Sequence, residues 1–111
     1  MTRTALPSRR PSLSCDTAWQ GHPITVTVGF DATGAVRECF ANTPEGGHMA
    51  ATIADACVII SIALQHGIAP DALAKSLGLV PDPSRGKDAT QPASPLGTVM
   101  GVVCGPWGTD G

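Results

Sequence analysis

The sequence predicts an α+β domain in which a small antiparallel β-hairpin or sheet packs on a long central helix, with two short helices. Residues 24–30 alternate apolar and polar side chains, which is typical of a strand with one buried face. Residues 48–66 carry apolar side chains at helical spacing and precede Gly67, a residue typical of helix ends. Two short segments that begin with proline follow, and each is expected to start a helix.

The 111 residues suffice for one domain with a modest core. We expect an N-terminal arm over residues 1–20, the domain over 21–103 and a flexible tail over 104–111. Glycine and proline concentrate toward the two ends, which indicates a folded middle with irregular flanks. In the arm, Leu6 and Arg10 each precede a proline, and that position disfavours helix.

The first predicted strand leads into a turn and a second strand. The side chains expected to face the core from the first strand are Ile24, Val26, Val28 and Phe30. Asp31-Ala32-Thr33-Gly34 has turn chemistry. The second strand, over residues 35–41, allows two orientations. Val36 and Phe40 face inward in the preferred one, and Cys39 and Ala41 in the other.

The long helix is apolar on more than one side. Its main stripe consists of Met49, Ile53, Ala56, Ile60, Ala63 and Leu64. Val58, Ile59 and Ile62 lie outside this stripe, so the helix needs cover on two sides, and a hairpin supplies one. We expect the second cover from the later helices, from a partner subunit, or from both. The apolar stretch is about half of what a bilayer requires, so no membrane span is expected.

The C-terminal third is predicted to hold a short helix over residues 70–77, a polar loop over 81–92, and a third helix from Ser94-Pro95 to about residue 103. Gly97 and Gly101 are four residues apart, which would give the third helix a smooth side for a neighbouring helix.

Charge and cysteine spacing exclude several classes of function. The net charge of −2 disfavours nucleic acid as a partner. The four cysteines, at positions 15, 39, 57 and 104, form no C-x-x-C pair, so no metal site is predicted. The first twenty residues lack the apolar core of a secretion signal, and we therefore expect a cytoplasmic protein with reduced cysteines.

The sequence predicts neither catalytic residues nor a cofactor. It contains no G-x-S-x-G, no phosphate-binding P-loop, no G-x-G-x-x-G and no H-E-x-x-H. Asp55 stands out as an acid within the apolar helix. Either it lies at the solvent edge of the helix, or it has a polar role in a binding cleft or a dimer seam.

Two glycines before the long helix mark the candidate ligand site. Gly46, Gly47 and His48 lead into a helix whose first N–H groups have no partner within the helix. Such groups bind phosphate or carboxylate, and Thr43 and His48 would add donors. The alternative is structural: a close strand-to-helix turn can require glycine for steric reasons alone.

Several segments together carry a family resemblance. They are LPSRRPS at 6–12, ITVTVGFDATGAVRECFAN at 24–42, GG at 46–47, DACVIISIALQHG at 55–67 and SPLG at 94–97. In this order they resemble a family of small bacterial domains related to the TSCPD domain. That domain also occurs at the C-terminal end of adenosylcobalamin-dependent ribonucleotide reductases.

The resemblance implies a non-catalytic accessory, binding or regulatory domain associated with ribonucleotide reductase. A reductase subunit and a second copy of the chain, joined through the long helix, are the expected partners. The Thr-Ser-Cys-Pro-Asp motif is absent, and Cys104-Gly105-Pro106 is its nearest counterpart. A reductase's redox cysteine pair and radical barrel are also missing, so the chain is not expected to reduce ribonucleotides alone. The alternatives are a phosphate- or nucleotide-binding protein, and a small redox enzyme using Cys104 or Cys39.

Overall fold

Residues 12–105 are described by a computed structural model, and they form the predicted α+β fold. The sheet elements are β1 (Ser12–Trp19), β2 (His22–Phe30) and β3 (Val36–Asn42), antiparallel in the order β1-β2-β3. The remaining elements are α1 (Gly47–Gln65), α2 (Pro70–Ala74), β4 (Leu79–Pro81), β5 (Thr90–Pro92) and α3 (Pro95–Val103). β4 and β5 form a separate two-stranded antiparallel sheet.

The region expected to be an arm contains the first strand of the sheet. β1 pairs with β2 along its whole length, from Ser12 opposite Gly29 to Trp19 opposite His22. Burial in β1 alternates with period two but is shallow: Cys15, Thr17 and Trp19 are half-buried and the other residues are exposed, so the apolar signal is weaker than in β2. The assignment of residues 12–19 to the arm was therefore wrong. Residues 1–11 and 106–111, with the rest of the expected arm and most of the expected tail, lie outside the described residues.

β2 supplies the centre of the core. Its predicted inward side chains, Ile24, Val26, Val28 and Phe30, are all buried. The turn after β2 is held by Asp31, whose carboxylate accepts hydrogen bonds from the Thr33 hydroxyl (2.6 Å) and from Nε of Arg37 (2.9 Å). These two bonds, in that order, hold the pKa of Asp31 well below its usual range. The predicted turn is confirmed.

β3 contains a register shift that changes which side chains face the core. Gly29 lies opposite Glu38 and Phe30 lies opposite Val36, so Arg37 is an extra residue in β3. Beyond this bulge the alternation changes parity. Val36 is buried as preferred, but Phe40 is exposed and the neighbouring Cys39 is buried. The expectation that Phe40 faces inward was wrong because local alternation does not reveal a bulge.

Two polar residues of α1 cover the free edge of β3. The Ser61 hydroxyl accepts a hydrogen bond from the Cys39 N–H (3.0 Å) and donates one to the Cys39 carbonyl (3.2 Å). Gln65 donates from Nε2 to the Arg37 carbonyl (3.1 Å). Since β3 lies at the edge of its sheet, these bonds satisfy backbone groups that no strand pairs. Both side chains are buried for this reason.

The C-terminal end of α1 is the predicted one. Gly67 has φ of 89° and follows the C-cap residue His66. The Gly67 N–H donates to the Leu64 carbonyl (3.0 Å), and the Ile68 N–H donates to the Ala63 carbonyl (3.1 Å). This is the Schellman arrangement, in which a residue with positive φ ends the helix.

The C-terminal third differs from expectation in three places. The second helix, predicted over residues 70–77, ends at Ala74. The segment predicted as a loop contains β5, the last residue of β4 and a short 3-10 turn at Pro83–Arg85, so the loop assignment was wrong. At Gly97, a Cβ atom would lie 2.6 Å from Cβ of Pro92, and at Gly101 a Cβ would meet nothing within 4 Å. Gly97 therefore allows α3 to pack closely against Pro92 of β5, whereas the expected neighbour was another helix. α3 has the predicted bounds, although the Ser94 side chain makes no cap bond.

One side of the C-terminal half of α1 is exposed. The exposed apolar side chains here are Phe40 of β3 together with Val58, Ile59 and Ile62 of α1, and we call them the outer face. Within residues 12–105 no later helix covers them, so the second cover expected for the helix does not come from this part of the chain. By length and composition alone, the 19 residues of α1 could cross a membrane. Its opposite side, however, packs on β3 as a core helix.

Candidate functional site

A cleft of about 450 Å³ lies beside the N-terminal half of α1. Its lining comes from β1, α1 and α3, and includes Trp19, His48, Met49, Thr52, Ile53, Ser94 and Leu96. The volume is within the range of roughly 300–1,000 Å³ that small-molecule sites occupy. The walls are mainly apolar, and the His48 ring with the Thr52 and Ser94 hydroxyls provides polar groups.

The aromatic wall of the cleft is held in place from behind. The Trp19 indole N–H donates to the Pro92 carbonyl (3.0 Å). The Trp19 ring stacks with His22, with ring centroids 6.0 Å apart and an interplanar angle of 23°. His22 in turn contacts the Glu45 carboxylate through Nδ1 (2.8 Å). Trp19 therefore presents a fixed aromatic surface of the kind that stacks on planar ligands.

The glycine pair before α1 is explained by backbone conformation. Gly46 and Gly47 have φ of 65° and 72°. A Cβ at either position would meet nothing within 4 Å, so the close-packing interpretation was wrong. Glycine is needed because positive φ is strained for other residues. No side chain caps this end of α1, which leaves the N–H groups of its first turn without a side-chain acceptor.

The other two residues of the candidate ligand site have different environments. Thr43 is buried, its hydroxyl accepts a hydrogen bond from the Glu45 N–H (3.4 Å), and its carbonyl accepts one from the Gly46 N–H (3.3 Å). Thr43 thus shapes the turn. His48 is exposed and lines the cleft. Among the predicted residues, the structure therefore places only the His48 side chain beside Trp19.

Asp55 lies away from the cleft. It is exposed on α1 and does not line the cleft. Val58 and Ile59, which follow it by three and four residues, are on the same side of the helix. Asp55 therefore borders the outer face. This position fits the expected role at a solvent edge. It also fits a polar role in a dimer seam, but not one in the cleft.

Cys39 and Cys104, the two cysteines considered for redox chemistry, lack the features of a reactive thiolate. Cys39 and Cys57 are buried next to each other, and a hydrogen bond with the Cys57 side chain, together with burial, raises the pKa of Cys39. Burial, followed by the nearby Asp71, raises the pKa of Cys104. Both shifts favour the unreactive thiol, which argues against a redox enzyme using either residue. Among residues 12–105, no group of three or more His, Cys, Asp or Glu side chains could hold a metal ion.

Sequence reasoning overlooked the cleft because it placed Trp19 in the arm. The available signal was weak: Trp19 is one of two tryptophans in a chain with only 4% aromatic residues. The cleft also depends on α3, whose first residues follow His48 by almost fifty positions.

Together, the three-stranded sheet, the long core helix and the preformed cleft define a small α+β domain. The TSCPD domain family matches residues 2–101 of the chain. Since the match covers most of the sequence, the chain belongs to the TSCPD domain family, as the segments compared above implied. No curated protein and no solved structure gives a significant match.

Proposed function

We propose that this protein is a non-catalytic accessory domain that binds or regulates a ribonucleotide reductase-type protein in the cytoplasm. Membership in the TSCPD domain family, over residues 2–101, is the observation that carries this proposal. The thiol environments support it, because raised pKa values at Cys39 and Cys104 leave these residues poorly suited to redox chemistry.

The proposed function predicts direct binding to a purified reductase catalytic subunit. We expect a saturable complex in calorimetry or surface-based binding, and a change in reductase turnover when the chain is added. The chain alone should give no turnover. Heat-unfolded chain serves as the control for non-specific association. Absence of a complex at about 100 μM of each protein, where even weak contacts of about −5.5 kcal/mol become populated, would contradict the partnership.

A second candidate function is binding of a nucleotide or another phosphorylated ligand in the cleft. One observation favours it: the uncapped first turn of α1 and His48 border the same cleft as the fixed Trp19 ring. A base could stack on the indole while the phosphate meets the helix N-terminus. Thr43, Gly46 and Gly47 would then act by shaping the turn that presents these N–H groups.

A thermal-shift panel of nucleotides and inorganic phosphate tests this second function. Ligand at about 100 times its Kd should stabilise the fold by about 2.7 kcal/mol, a shift of several degrees for a domain of this size. His48→Ala and Trp19→Ala should each reduce the shift. His66→Ala, at the opposite end of α1, is the matched control and should retain it. A flat panel at millimolar ligand would exclude the nucleotide site.

A further inference from the structure

The outer face is a continuous apolar surface on an otherwise ordinary domain. Ile59 is 69% exposed, Val58 57%, Phe40 54% and Ile62 39%. Phe40 and Val58 line the same shallow cavity, so β3 and α1 contribute to one surface. The buried side of α1 packs on β3, and this packing fixes the backbone that carries the exposed side chains.

The area of this surface approaches what a stable dimer needs. The four side chains expose on the order of 400 Å² of apolar surface, comparable with the largest patches that monomers retain. A standard interface buries about 800 Å² on each partner. The adjoining exposed residues Ala51, Ala54 and Asp55 lie on the same side of α1 and extend the surface toward that value.

The surface carries both a projection and a hollow. A cavity of about 190 Å³ lies between Phe40 and Val58, next to the small side chain of Ala54. Ile59, the most exposed of the four, lies about 140° around the helix from Ala54, on the other flank of the outer face. The outer face is therefore uneven, with a hollow on one flank and a projection on the other.

The charge of Asp55 favours one relative orientation of two copies over the other. Asp55 is the only charged residue in the α1 sequence between positions 48 and 65. If the two helices cross antiparallel with the axis near Val58 and Ile59, the two Asp55 carboxylates lie on the order of 10 Å apart, about one Debye length. A parallel arrangement would bring the two carboxylates together, and like charges at short range oppose association.

We propose that the outer face is the interface of a homodimer in which the α1 helices of two copies pack antiparallel around Val58 and Ile59. The proposal rests on the proposed function in that the accessory domain would bind its reductase as this dimer. A second copy fits because the surface is mainly apolar, approaches the size that one side of a dimer interface needs, and carries one exposed charge, Asp55. An acidic partner would meet the like charge of Asp55, whereas a strongly basic partner would have one exposed carboxylate to pair with.

Sedimentation equilibrium tests the dimer, with Ile59→Glu as the disrupting variant. Ile59 is exposed, so the variant should fold, and unfolding curves check that it does. We expect a dimeric wild-type protein and a dissociation constant at least about 100-fold higher for Ile59→Glu. Leu79→Glu is the matched control, because Leu79 is 64% exposed on β4, outside the face. A monomeric wild type, or an Ile59→Glu variant that dimerises like the control, would overturn the proposal.

Cysteine cross-linking tests the orientation, in a background with Cys15→Ser and Cys104→Ser. Val58→Cys lies near the proposed two-fold axis and should give a disulfide-linked dimer under mild oxidation. Asp55→Cys, one helical turn away, should cross-link poorly. Efficient cross-linking at both positions would indicate parallel helices, and that result, or cross-linking at Asp55→Cys alone, would overturn the antiparallel arrangement.

Binding to the reductase subunit separates this proposal from the proposed function. If Ile59→Glu is monomeric and still binds the reductase, the dimer stands and uses a surface separate from the reductase site. If the wild type is monomeric and Ile59→Glu loses the reductase, the outer face belongs to the reductase and the dimer proposal fails. If the wild type is dimeric but binds no reductase, the dimer stands and the proposed function fails.

Discussion

Replacing Leu64 by alanine is expected to lower the free energy of unfolding by about 3–5 kcal/mol, which is a large part of the stability of a small domain. Leu64 lies in the last turn of α1, is 0% exposed and belongs to the core formed with β2 and α3. Alanine would remove buried apolar volume and leave a cavity, since the surrounding sheet and helices relax only in part.

Urea unfolding followed by circular dichroism measures this effect. Leu79→Ala is the matched control, since the same atoms are removed from a side chain that is 64% exposed, and its change should stay within about 0.5 kcal/mol. All proteins should be compared at one concentration, because dimerisation makes apparent stability depend on concentration. Equal losses in the two variants would contradict the assignment of Leu64 to the core.

The fold was predictable where a local pattern determines the structure. The period-two alternation of residues 24–30 identified β2 and its inward side chains, because one face of that strand is buried. The helical spacing and Gly67 identified α1 and its end, because the Schellman bonds need only a residue that tolerates positive φ.

The remainder depends on contacts between distant residues. β1 is held by its ladder to β2 and buries little, so its own sequence carries a weak signal. The orientation of Phe40 follows from a bulge at Arg37, which becomes visible only once the strands are paired. The cleft joins Trp19, His48 and Ser94, which are far apart in the chain, and no spacing rule connects them. The sequence showed that α1 carries more apolar side chains than one packing face needs. It did not show which surface covers the additional ones.

Ser61 shows how a polar residue in an apolar helix supports the edge of the sheet, and its removal is the second large effect that we expect. Ser61→Ala should lower the free energy of unfolding by about 2–3 kcal/mol, because the buried N–H and carbonyl of Cys39 would both lose their partner. Helix propensity alone would make the variant more stable, since alanine is favoured over serine by about 0.5 kcal/mol. A loss of stability would therefore be due to the missing hydrogen bonds.

Chemical denaturation again supplies the measurement, and Ser14→Ala is the matched control. Ser14 lies on β1, where it is exposed, and its hydroxyl hydrogen-bonds with the Thr27 hydroxyl (2.8 Å) at the surface, so its loss should cost about 0.5 kcal/mol or less. Ser61→Ala should also aggregate more readily on partial unfolding, because the edge of β3 would be open to pairing with another chain. A Ser61→Ala variant as stable as the wild type would mean that the two edge bonds contribute nothing net, and that solvent replaces the hydroxyl.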